Sequence, residues 1–390
     1  MRNGNALLTA PRRTQQPAAQ VRSRRREVVT YAVGKPGAPN GHEVSTRAQI
    51  ARRLAAVARF EYAGEYDPGG CYDARPYFVP SDTLTHADAA ALNIDGAGDL
   101  FGGVVPAAFT ATKIITHPLV DARARAPQGW SSEFPRQVAE SVLPGFSAFS
   151  TQDALRAGRL LLGGGPVRVK LATGIAGIGQ WTAHDSSELE SIVGAIDAEN
   201  VDAGVVVEQH LDAVETKSVG QIRVAGVTAS YCGEQHLTTN NSGIEVYGGS
   251  ALHVARGGFE SLLALDLTPQ MRLAITQARV YDHAATTCLS GFFASRRNYD
   301  VAQGTDARGN RRSGVLEQSW RLGGASGAEI AALEAFCADS SVQVVRAVSR
   351  EVYGEGAAVP EAAAVYFRGV DPKVGALTKF TLVEAHADAR

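Results

Sequence analysis

The 390-residue chain is informative first for what it lacks. It has no run of about 18 apolar residues, so nothing in it reads as a membrane-spanning helix. Its first residues contain no apolar stretch of the secretory type. Its four cysteines, Cys71, Cys232, Cys288 and Cys337, are far apart and show no metal-ligand spacing. They read as buried thiols of a cytoplasmic protein. Neither Cys232 nor Cys288 has a cationic motif beside it that would make a nucleophile. His117, His184, His210, His236 and His253 form no HxxxH or HxH pair and read as structural. A GxSxG elbow is missing, and the first hundred residues hold no GxGxxG, which removes the sequence case for a serine hydrolase or a dinucleotide fingerprint.

Charge of one sign is also scarce. The net charge is −2, but seven arginines and no acid fall within residues 1–26 (Arg2, Arg12, Arg13, Arg22, Arg24, Arg25 and Arg26). The remainder carries 31 basic against 40 acidic residues, a balance of −9. The body therefore lacks the footprint of a nucleic-acid binder. The tail reads as a disordered basic extension, with a contact to nucleic acid or anionic lipid as the other reading.

Order is expected from Glu27. Residues 28–33 (VVTYAV) read as a strand, and Thr46 with Gln49 as a capping box opening a helix to about Phe60. A brief strand follows at Tyr77–Val79. This β-α-β pattern over residues 27–105 predicts a small Rossmann-like unit. Ser150 is placed to cap a helix through Leu162, and Asp185 or Ser186 a helix from Glu188 to about Ala198. Strands are expected at 180–183, 205–207, 218–225, 227–232 and 244–247. A helix over 269–286 leads to a long hairpin, 291–300 and 312–318, turning through GTDARGN. A helix over 328–337 capped by Ser326, another near 342–352 and a terminal strand near 376–384 complete the reading.

Three stretches carry chemistry. In PVRVKLATGIAGIG (166–179), valines alternate with Arg168 and Lys170, and Gly174, Gly177 and Gly179 follow. A cation beside exposed backbone N–H groups suits a polyphosphate, although the segment also serves as a plain hairpin turn. In VVVEQHLDAVE, Glu208 ends an apolar strand. Gln209 to Leu211 can form a linker whose backbone meets an adenine edge, and Glu215 can meet ribose hydroxyls; two solvated turn charges are the alternative. In the hairpin, Asp300 and Glu317 can converge, and paired carboxylates repel unless a cation lies between them. Mg²⁺ held by one or two carboxylates and phosphate oxygens answers that need. Ser319 and Arg321 alternate with Glu317 and share its face.

Taken in order, Lys113, the Lys170–Gly179 strand and loop, Glu208 to Glu215, and Asp300 with Glu317, Ser319 and Arg321 resemble the ATP-grasp superfamily. The resemblance covers about residues 27–325. It implies an α+β (α/β) architecture, with a Rossmann-like unit at 27–105 followed by two α+β lobes, 106–205 and 206–390, enclosing ATP. By the same resemblance Lys113 and Lys170 contact phosphates and Gly174, Gly177 and Gly179 close over them. Glu208, Gln209 and Leu211 hold adenine, and Glu215 the ribose. Asp300, Glu317 and Ser319 bind Mg²⁺, and Arg321, with Arg297 as a second candidate, steadies an acyl phosphate or carboxylate. The implied activity is an ATP- and Mg²⁺-dependent ligase joining a small-molecule or peptide carboxylate to an amine or thiol, with a homodimer left open. Two departures keep a second reading in view, a non-catalytic ATP-binding regulator or scaffold. The family usually has asparagine where this chain has Ser319. Ala176 and Ile178 stand where many members carry more glycine or a cation.

Overall fold

The computed structural model describes residues 26–34, 41–174 and 179–388. Its first sheet is parallel and three-stranded, in the order Glu61–Glu65, Glu27–Tyr31, Tyr77–Pro80. The helix His42–Ala58 makes the crossover, burying Ile50, Ala51, Leu54 and Ala55 at a spacing of three to four residues. The expected β-α-β unit is present, but the helix begins a turn before Thr46, behind Gly41. Thr46 therefore caps nothing, and its hydroxyl is buried without a partner among the described residues. The strand Glu61–Glu65 was not expected, because only its alternate residues are half-buried. A small sheet of Phe293–Ala294, Gly103–Val105 and Leu84–Thr85 ties this unit to the second half of the chain.

The second main sheet is antiparallel and four-stranded, in the order Gly145–Ala148, Val205–Gln209, Val167–Leu171, Gln180–Ala183. Helices Thr151–Leu162 and Ser186–Ala195 contribute Ala154, Ala157, Leu189 and Val193 to its core, together with Val167, Val169, Val205 and Val207. Ser150 and Asp185 cap these helices as their positions predict, each side chain accepting a first-turn backbone N–H.

The third sheet has eight antiparallel strands, in the order Arg311–Ser319, Arg296–Thr305, Asp212–Val224, Val227–Thr239, Glu245–Arg256, Val342–Tyr353, Gly375–Asp388, Ala364–Asp371. Alternation gives it two apolar faces. Val219, Cys232, Tyr299 and Val301 pack on the helix Pro269–Cys288, while Ile222, Tyr231, Leu252 and Val254 pack on the helix Ser326–Ala338. With these layers the chain is an α+β protein.

Three expectations are corrected here. Residues 342–352 form a strand rather than a helix, because their valines complete a sheet whose neighbouring strands lie on both sides. Of the four cysteines only Cys232 is buried, and burial pushes its thiol up to about 12, whereas Cys71 and Cys337 are exposed. Arg26, counted with the basic tail, is held by the carbonyls of Arg75, Pro76 and Gly98 and by Asp99; the other tail arginines lie outside the described residues. Among the described residues no helix is long and apolar enough to cross a membrane.

Candidate active site

Lys170 and Glu208 stand on adjacent antiparallel strands, where Arg168 pairs with Glu208 and Lys170 with Val206. Both are buried, at 6% and 2% exposure, and they form an ion pair. The other Glu208 oxygen meets Nε2 of buried His117 at 3.2 Å. Burial by itself would raise the Glu208 carboxyl, but Lys170 and then His117 hold it down at about 2. The strands Val167–Leu171 and Gln180–Ala183, on either side of the glycine-rich segment, pair as neighbours, with Leu171 N–H donating to Gly179 O and Gly179 at φ +74°, a conformation suited to glycine. Gly177, with its neighbours 175, 176 and 178, lies outside the described residues.

Lys113 comes from a short 3₁₀ turn, Lys113–Thr116, capped by the Thr112 side chain. Its Nζ donates to the Gly174 carbonyl at 2.6 Å and lies 2.7 Å from Oε2 of Glu317. One buried ammonium thus joins the edge of the glycine turn to the acid of the hairpin. Glu317 stands directly opposite Asp300. The length of chain between them is absorbed by the hairpin, whose turn centres on Asp306–Asn310.

Asp300 accepts hydrogen bonds at Oδ1 from Gln235 and Asn298, both at 2.9 Å, and from Ser218 at 3.4 Å. Burial first, and then repulsion from Glu317, push its carboxyl up to about 6. This is the residue pair for which a cation would relieve the strain of like charges. Among the described residues no cluster of three or more His, Cys, Asp or Glu side chains is arranged for a metal. The two carboxylates fit a hard cation that completes its shell with phosphate or water oxygens. Ser319 pairs with Asn298, and its hydroxyl accepts from Arg296 at 3.3 Å. Arg296 is held by Glu329 through Nε at 3.0 Å and Nη2 at 2.7 Å and is fully buried.

Other expected residues fall elsewhere. Arg297 points to the opposite face of its strand from Asp300 and is held bidentately by Asp282 at 3.0 and 3.1 Å, so it does not join the acid pair. Arg321 lies just past the strand end, partly exposed, with Nε 3.4 Å from Asp82 of the N-terminal unit. The linker does run between the two antiparallel sheets, with Leu211 buried. However, the N–H groups of Gln209 and His210 already donate to Pro144 O and Pro166 O. Glu215 is 63% exposed and bound to Lys217, which also holds Glu234. Strand alternation puts Glu215 and Lys217 on the face opposite Ser218 and Asp300.

Sequence reading missed His117, Gln235, Asn298 and Lys217. Asn298 was legible, because it lies two residues before Asp300 on the same face. His117 was not, because only the folded chain brings it to Glu208.

A family described as "Protein of unknown function (DUF3182)" matches residues 30–381. No curated protein sequence matches the chain. Among solved structures it is similar to the biotin carboxylase domain of Hydrogenobacter thermophilus 2-oxoglutarate carboxylase, described in complex with MgADP, ADP and bicarbonate. The TM-score is 0.51, at 11% identity over 93% of this chain and 87% of that one. It is also similar to D-alanyl-alanine synthetase A of Vibrio cholerae, with a TM-score of 0.48 and 14% identity over 76% of this chain and 89% of that one. The chain has an ATP-grasp fold.

Proposed function

We propose, from the premise that the chain belongs to the DUF3182 family, that it is an ATP- and Mg²⁺-dependent ligase activating a carboxylate for attack by an amine or thiol. The observation that carries this reading is Lys113, whose Nζ reaches both the glycine turn and Glu317. Phosphate-binding and cation-binding candidates are thereby parts of one site. Mg²⁺ at Asp300 and Glu317 would neutralise phosphate oxygens there. Lys113 and Lys170 orient the phosphates, and Leu211 packs beside the base. Arg321, partly exposed just past the strand end, receives the substrate carboxylate. A carboxylate oxygen of the substrate bonds to the γ-phosphorus as ADP leaves. The nucleophile then bonds to the acyl carbon, losing its proton as phosphate leaves. The chain's contribution is positioning and charge stabilisation.

The test is incubation of the chain with Mg·ATP, hydroxylamine and a panel of small acids and peptides. Hydroxamate formed in step with ADP is expected. ATP binding with no acid-dependent ADP release would favour the second reading, a nucleotide-binding regulator. One observation supports that alternative, since the Ser319 hydroxyl is already engaged by Arg296.

A further inference from the structure

Beside Asp300, neighbouring strands of the eight-stranded sheet carry Tyr231, Gly220 and Asn298 in one row, Gly220 pairing with Tyr231 on one side and with Asn298 on the other. The centre of the row must be glycine, because a side chain there would collide with the Tyr231 ring and hydroxyl. The phenol therefore reaches across the bare strand to Asn298. Tyr231 is fully buried, and burial, then the charge of Glu329, push its phenol well above the ordinary range, so it keeps its proton. That proton lies between two acceptors, Oδ1 of Asn298 at 2.9 Å and Oε1 of Glu329 at 2.8 Å. Glu329, from the helix Ser326–Ala338, is sealed from solvent and gripped at both oxygens by Arg296. Its charge is met there, and the phenol proton stays available to Asn298.

The direction of the Asn298 amide follows. With its oxygen turned to Tyr231, its Nδ2 turns to Asp300 and donates to Oδ1 at 2.9 Å. Reversed, the amide would set its oxygen against a carboxylate oxygen and its NH₂ against the donating hydroxyl. Gln235 and Ser218 donate to the same oxygen of Asp300. These donors gather on one carboxylate oxygen and leave the other, Oδ2, to a cation.

We propose that Tyr231 is a positioning residue of the cation site: acting through the Asn298 amide, it pins Oδ1 of Asp300 and keeps Oδ2 for a divalent cation shared with Glu317. The inference rests on the reading of Asp300 and Glu317 as cation ligands. Partners that orient a ligating group commonly account for about 10–100-fold in metal affinity.

The test uses the full chain, with Mn²⁺ as the probe. Calorimetry gives the affinity of each protein for Mn·ATP and for ATP with the metal chelated, and the ratio isolates what the cation contributes. Tyr231→Phe keeps the ring and should lower that ratio about tenfold or more, while metal-free ATP binding stays within about twofold of the wild type. In an Asn298→Leu background, where the ratio is already low, Tyr231→Phe should change it no further. Asn298→Ser supplies the background should Asn298→Leu fail to fold, as judged by melting curves. A wild-type ratio in Tyr231→Phe, an equal loss in both affinities, or an undiminished effect of Tyr231→Phe in the absence of Asn298 would each overturn the inference and leave the row as a structural fastening between sheet and helix. A wild-type chain that gains nothing from Mn²⁺ in binding ATP would instead refute the reading of the acid pair, and the inference with it.

Discussion

The Lys113 ammonium lies 2.7 Å from Oε2 of Glu317, while the same nitrogen donates to the carbonyl of Gly174. A phosphate arriving at the glycine turn and a cation arriving at Glu317 would both compete for contacts that Lys113 now makes. Lys113→Met should therefore keep the fold and lower acid-dependent ADP release by roughly 10²–10³-fold. Single-turnover assays beside a melting curve check this; wild-type turnover in a folded variant would remove Lys113 from the site.

Glu208 predicts a stability signature. Its folded carboxyl is held at about 2, below its ordinary value of 4.5. A depressed carboxyl stabilises the fold fully above the ordinary value and loses that contribution as pH falls toward the folded one. Glu208→Gln leaves Lys170 buried beside a neutral partner and should cost about 3–5 kcal/mol at pH 7. The gap to the wild type should hold to about pH 4.5 and close toward pH 2. Urea denaturation of both proteins across that range is the measurement, and a gap constant to pH 3 would contradict the assigned cause.

Asp300 behaves in the opposite sense. Burial and then Glu317 raise its carboxyl to about 6. At low pH a raised carboxyl holds a proton and contributes stability that is lost as pH rises through about 6. A divalent cation must displace that proton. Mg·ATP affinity should fall by about tenfold per pH unit below pH 6. Asp300→Asn should flatten this profile, weaken Mg²⁺ dependence and raise the melting temperature at pH 7. Calorimetry at several pH values reads the first two effects, and a wild-type profile in the variant would refute the role.

Arg297 and Arg321 should separate cleanly. Arg297 sits in an ion pair with Asp282, which also accepts from Tyr299, and its guanidinium lies 5.7 Å from the Phe292 ring centroid. Arg297→Ala should lower stability by about 2–4 kcal/mol and leave Mg·ATP affinity intact. Arg321→Ala should leave stability within about 0.5 kcal/mol and raise the KM for the acid. Denaturation and kinetics on both variants decide the assignment, which fails if the two effects are exchanged.

Much of this is legible in the sequence. Ser150 and Asp185 announce helix starts because a cap is a local interaction. Glu317 and Ser319 share a spacing that strand alternation turns into one face, whereas Arg321, expected beside them, falls past the strand end. What was lost lies at longer range. Residues 342–352 look helical in isolation and become a strand because two neighbours supply their hydrogen-bond partners. Thr46 with Gln49 matches a capping pattern, but the helix begins earlier, at His42. Arg296 and Arg297 are adjacent and alike in sequence, yet one is sealed against Glu329 and the other turns to Asp282. Their fates depend on which face of the strand each occupies.

The hairpin carries one further consequence. Asp300 pairs with Glu317, but the next residue, Val301, pairs with Val315, so Leu316 is an unmatched extra residue. Val315 and Glu317 are two positions apart yet serve opposite faces, one in the core against the helix Pro269–Cys288 and the other beside Asp300. The meeting of the two acids is thus set by a residue count as well as by residue identity. Drawing Leu316 into regular pairing would put Val315 and Glu317 on one face and force either the valine out of the core or the carboxylate from its partner, whereas deleting it would leave the two adjacent and each still on its own face. The unmatched Leu316 is thus what lets two residues at an even spacing serve the two faces of the sheet.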